Sequence, residues 1–96
     1  MTREKFFEMF DTVAATKASV IVNCIRNART IKDAEWHAHQ GAGELQGLYR
    51  GYTDAGEVFN VCDRLDEEFF KRMWYYITTI DEELARFMVN HKRKKK

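Results

Sequence analysis

Apolar residues return every three or four positions through the first third of the chain. Phe7, Phe10, Ala14, Ala18, Ile21, Ile25 and Ala28 form one stripe, widened by Phe6, Met9, Val13, Val20 and Cys24. Glu8, Thr12, Ser19, Asn23 and Arg26 occupy the opposite face. This is the period of an amphipathic helix, and it predicts a first helix from about Thr2 to Ala28. A stripe this wide suits a helix packed against two neighbours. Arg29–Lys32 is a polar break, and Asp33, or Thr30 before it, is placed to cap a second helix.

The second stripe is Ala34, Ala38, Gly41, Leu45, Leu48 and Tyr52, which predicts a helix ending near Gly51. Gly43, Gly47 and Gly51 share a neighbouring face of it. Glycine costs about 1 kcal/mol relative to alanine inside a helix. Close approach of another helix backbone is the expected compensation, and a break at Gly41–Gly43 is the rival reading. Thr53 and Asp54 mark the next start, because Asp54 and Glu57 have capping-box spacing. The third stripe then runs Ala55, Val58, Cys62, Leu65, Phe69, Met73, Tyr76, Ile80, Leu84 and Phe87. A second capping-box spacing, Thr79 to Glu82, allows this helix to break near Thr78–Thr79.

These elements predict an all-α fold: an antiparallel helical hairpin or three-helix bundle with a long C-terminal helix. A turn at Tyr52–Asp54 sets Leu48 opposite Val58 and Ala38 near Phe69. At 1.5 Å per residue the second helix would be about 28 Å long and the third about 55 Å, so the third would overhang its partner. The overhang would begin at about Trp74, within the stretch Phe69–Ile77, where seven of nine residues are large and apolar or aromatic. A helix apolar nearly all round is either central to a bundle or a docking place for another molecule. Phe70, Trp74, Tyr75 and Ile77, with Trp36 on the second helix, are therefore the candidate protein-binding residues. Trp and Tyr are the types that anchor interfaces. The implied partner is another protein, a second copy of the chain, or both.

Composition agrees with one soluble domain. The chain has 96 residues, 45 % hydrophobic and 32 % charged, with no proline, which favours long helices over an all-β fold. The net charge of +1 conceals an asymmetry. Without Lys92, Arg93, Lys94, Lys95 and Lys96, eleven basic residues face fifteen acidic ones, a body charge of −4. The organisation is thus a helical domain over 1–91 and a basic tail over 92–96. The tail offers an alternative partner, nucleic acid, held through phosphates with a steep salt dependence. No stretch has the form of a signal peptide or a membrane span, so a cytoplasmic protein with no membrane partner is expected. Cys24 and Cys62 lie within apolar stripes and are expected to be buried, reduced thiols.

Catalytic chemistry has no visible constellation. Gly41-x-Gly43-x-x-x-Gly47 lacks the strand, the lysine and the spacing of a phosphate loop. Ser19 is the only serine, and no histidine lies near it along the chain. His37 and His39, two apart, face different ways on a helix and cannot share a metal. The expectation is a non-enzymatic protein with no catalytic residues, no metal site and no cofactor.

The segment His39-Gln40-Gly41-Ala42-Gly43-Glu44-Leu45-Gln46-Gly47-Leu48-Tyr49-Arg50 resembles the Gln-Gly…Gly-Leu helical segment of short proteins encoded by tailed phages. It covers about an eighth of the chain. The resemblance implies a small, non-enzymatic helical protein of the host cytoplasm or the virion. Its role would be as a virion-assembly component or as a factor that binds a host protein. It implies no functional residues.

Overall fold

Three segments carry the helical period, and in the computed structural model each forms a helix: α1 (Arg3–Arg26), α2 (Ile31–Phe59) and α3 (Glu67–Lys94). The structure describes residues 1–94, and side chains only through residue 91. The basic side chains of 92–96 therefore lie outside the described residues. All three helices pack on one another as an all-α three-helix bundle, 55 × 20 × 16 Å.

The helix starts follow from capping chemistry. Thr2 Oγ1 accepts a hydrogen bond from the Lys5 amide at 3.1 Å, satisfying one of the free donors of α1. Thr30, rather than Asp33, caps α2 by accepting from the Asp33 amide at 3.0 Å. Asp66 caps α3, with its carboxylate accepting from the Phe69 amide at 3.2 Å. Glu67 and Glu68 follow in the first turn, where negative charge complements the helix dipole.

The boundary between α2 and α3 departs from the expectation. No turn forms at Tyr52–Asp54. The Thr53 hydroxyl donates to the Tyr49 carbonyl at 2.8 Å, which satisfies it within an uninterrupted α2. The helix stops eight residues later than Gly51, at Phe59, where Asn60 adopts the left-handed conformation at φ 58° and ψ 38°. The Asn60 amide bonds to the Glu57 carbonyl at 3.2 Å and the Val61 amide to the Gly56 carbonyl at 3.0 Å. These are the two bonds of a Schellman motif. Replacing Asn60 by Ala should cost about 1 kcal/mol, because alanine tolerates a positive φ less well than asparagine. A urea titration of Asn60→Ala against the wild type measures it.

This boundary shifts the register. Phe69 stacks on Tyr49 at 5.1 Å between ring centroids, not near Ala38. Val58 and Leu65, expected in the third stripe, are exposed at the end of α2 and in the following loop. The helices contain 24, 29 and 28 residues, and with Phe69 level with Tyr49 the overhang expected from about Trp74 does not form there. Nor does α3 break at Thr78–Thr79. The Thr79 hydroxyl donates to the Tyr75 carbonyl at 3.0 Å inside a continuous helix.

The core has two characters. At one end Phe69 lies among Phe6, Phe7, Phe10 and Tyr49, with ring centroids 4.7–5.5 Å away. At the other, small and aliphatic residues close the bundle: Ile21, Ile25, Ala34, Ala38 and Ile80. Gly41 permits this narrowing, since a Cβ there would stand 2.7 Å from Ile21 Cγ2. Gly56 is likewise crowded by Cys62 and Phe6. Gly43, Gly47 and Gly51 differ: nothing lies within 4 Å of the position a Cβ would take. The compensation expected for the glycines is present inside the chain at Gly41, and the contacts of the chain offset nothing at Gly43, Gly47 and Gly51.

Ion pairs fasten the ends of the bundle. Arg3 bridges Asp66 at 2.6 Å and Glu68 at 2.9 Å, tying the start of α1 to the start of α3. Arg72 pairs with Asp11, and the Arg3 and Arg72 guanidinium groups each lie 4.7 Å from the Phe7 ring centroid. At the opposite end Glu83, a buried carboxylate, is held by Arg26 and Arg86. A buried charge needs such partners.

Candidate protein-contact surface

The five candidate residues do not form one patch. Residues 69 to 77 cover every direction of the α3 surface, and the neighbouring helices sort them. Phe69 and Met73 point to the bundle axis. Ile77 does too: it is 3 % exposed and belongs to the core, so it cannot serve a surface. Phe70 and Trp74, one turn apart, emerge on the α2 side at 46 % and 42 % exposure. Tyr75 emerges on the α1 side at 67 %. Trp36 is 58 % exposed on α2, where it meets His37 edge-on at 5.2 Å. It lies thirteen residues before Tyr49, about 20 Å along the helix.

What does assemble is a ladder of aromatic rings across the α2–α3 groove. Tyr49 stacks on the buried Phe69 and meets Phe70 edge-on at 6.1 Å. Phe70 in turn meets Trp74 edge-on at 6.1 Å. The inner rung is fixed in the core and the outer rungs face solvent. This is the geometry of a pre-organised anchor: few rotamers remain to be lost when a partner covers the rings. The register of α2 against α3 creates the ladder. Tyr49 is therefore a member that the sequence pattern alone did not single out.

Tyr75 sits in a different setting. It packs edge-on against Tyr76 at 5.1 Å, near the Asp11–Arg72 ion pair. Burial, and after it the Asp11 carboxylate, pushes the Tyr76 phenol up to about 12. An unperturbed phenol titrates near 10. The neutral form is thus favoured in the folded state, and its stabilising contribution is complete below about pH 10. Above that the unfolded chain gives up its proton first, so the contribution is lost as the pH climbs toward 12. Alkaline denaturation curves should show this loss in the wild type and a smaller one in Tyr76→Phe.

The thiols differ in burial. Cys62, in the α2–α3 loop, is buried and Cys24 is half-buried, and both are free. Burial raises the Cys62 thiol above its ordinary value, which disfavours the reactive thiolate. Among the described residues, no three His, Cys, Asp or Glu side chains are grouped closely enough to hold a metal ion. Nor is any helix among them long and apolar enough to cross a membrane. The comparisons with known proteins end there: no protein-family model, no curated sequence and no solved structure matches this chain.

Proposed function

We propose that this chain is a non-enzymatic protein-interaction module. It works as a subunit of a larger assembly, with the Tyr49–Phe70–Trp74 ladder as its contact surface. One observation carries the reading. Two large aromatic side chains stand partly in water: Phe70 rests on Tyr49, which stacks on the buried Phe69, and Trp74 rests on Phe70. Exposing Phe and Trp is unfavourable unless a partner covers them, and hot spots of interfaces are rich in Trp and Tyr. Phe70 and Trp74 present their rings to solvent, which suits a protein surface better than an enclosed small substrate. The likeness of His39–Arg50 to phage helical segments supports a virion component or a host-binding factor as the wider role.

Affinity capture from the cells or particles that contain the protein tests the reading. Wild-type chain should retain a discrete partner that Phe70→Ala or Trp74→Ala releases. Tyr75→Ala, on the other side of α3, should retain it. Equal capture by all four chains would remove the ladder from the interface.

A further inference from the structure

A second apolar face lies between α1 and α2, away from the aromatic ladder. Met9, Val13 and Val20 stand exposed along α1. Beside them Gly47, Leu48 and Gly51 of α2 line a shallow groove with Phe59 at its end. We propose that this face binds a second copy of the chain, in a two-fold dimer whose axis runs along the bundle.

The levels of the two helices give the reason. Phe10 lies against Tyr52, and Ile21 against Gly41. In this antiparallel pairing the groove glycines Gly51 and Gly47 fall level with Asp11 and Ala15. On α1, Met9, Val13, Thr16 and Val20 occupy the levels before, between and after those glycines. The Thr16 hydroxyl is already spent on the Thr12 carbonyl at 2.9 Å, so its methyl group is left for the face. Each protomer therefore carries a ridge and, beside it, a furrow whose gaps match that ridge. A two-fold axis along the bundle preserves levels and exchanges α1 for α2 across the interface. The ridge of each copy then enters the furrow of the other. A surface that complements itself is what an isologous contact requires, and a foreign partner would have no reason to match both halves.

Charge and area agree. Lys17 on α1 and Glu44 on α2 fall at nearly the same level, so the axis sets Lys17 of each copy beside Glu44 of the other. The shared face has the length of α1, 24 residues or about 36 Å, and a breadth of 20 Å. Its extent approaches the roughly 800 Å² that each partner buries in an interface of standard size. The open space at Gly47 and Gly51 is then the place where the partner helix approaches.

Light scattering after size exclusion, over a range of protein concentrations, tests this. The wild type should reach twice the 11.4 kDa chain mass. Gly47→Gln should fill the furrow, and Val13→Gln should blunt the ridge. Each should weaken the dimer roughly tenfold or more, the scale of a central interface residue. Nothing lies within 4 Å of a Cβ at position 47 and Val13 is exposed, so circular dichroism should show both variants as helical as the wild type. Lys17→Glu should also weaken the dimer, and Lys17→Glu with Glu44→Lys should restore it. Trp74→Ala should leave it intact, which separates this contact from the aromatic ladder. A wild-type chain that stays monomeric up to about 100 μM would overturn the proposal, since that limits the association to weaker than about −5.5 kcal/mol. A dimer indifferent to Gly47→Gln and Val13→Gln, or a charge swap that fails to restore it, would do the same.

Discussion

Phe69→Ala should destabilise the fold by about 3–5 kcal/mol, the range for truncating a fully buried phenylalanine. The ring has no exposure and is met by Phe6, Phe7, Phe10 and Tyr49, which come from the two other helices. Removing it leaves a cavity lined by rings that cannot all collapse inward, because Phe7 is also held beneath Arg3 and Arg72. Small domains have only about 5–15 kcal/mol of stability to lose. The variant should therefore unfold at a much lower urea concentration, or be largely unfolded at 37 °C. Phe69→Leu should recover part of the loss. A cost below about 1 kcal/mol, the ordinary effect of a surface change, would mean that the aromatic cluster is not the centre of the core.

Trp74→Ala should have the largest effect on binding and little on folding. Its ring is partly exposed and meets Phe70 edge-on, so truncation opens no internal cavity. A tryptophan at the centre of an interface commonly carries 2 kcal/mol or more, which is roughly thirtyfold or more in affinity. Phe70→Ala should follow in the same direction. It should also loosen Tyr49, whose ring meets Phe70 on one side and Phe69 on the other. Thermal unfolding of Trp74→Ala should stay within a few degrees of the wild type. A large drop in its melting temperature would reassign the side chain from surface to support.

The helical content was legible in the periodicity, and the first two helix starts in their caps. Thr2 and Thr30 have the hydroxyl that a free amide needs, directly before an apolar stripe. The α2–α3 connection was not legible, for two physical reasons. The stop is a left-handed asparagine, Asn60, with neither glycine nor proline between it and α3 to announce it. The loop after it contains Cys62 and Leu65 at helical spacing, which disguises a turn as a continuing stripe. Cys62 is buried, but by the loop folding over Gly56. The Asp54–Glu57 spacing imitated a capping box inside an uninterrupted helix, a reminder that a local signal loses when the residues before it already satisfy the backbone.

The proposed contact surface was half legible for a related reason. Residues 69 to 77 carry more apolar surface than one helix face can bury, and that excess is real. Which of them are spare depends on register, and register was set by the misplaced turn. Moving α3 by some eleven residues along α2 brings Tyr49, not Ala38, to Phe69. It sends Ile77 inward and separates Tyr75 from Trp74 across the helix. The glycine face shows the same dependence. Sequence spacing aligned Gly43, Gly47 and Gly51, but only the placement of α1 shows that their Cβ positions are open.

The most direct test of the central claim is partner capture by the intact chain, comparing the wild type with Trp74→Ala and Tyr75→Ala at matched helicity. The account predicts one discrete partner held by the wild type and by Tyr75→Ala, and lost from Trp74→Ala. Retention of that partner by Trp74→Ala with loss from Tyr75→Ala would contradict it, and would move the contact surface to the α1 side of α3.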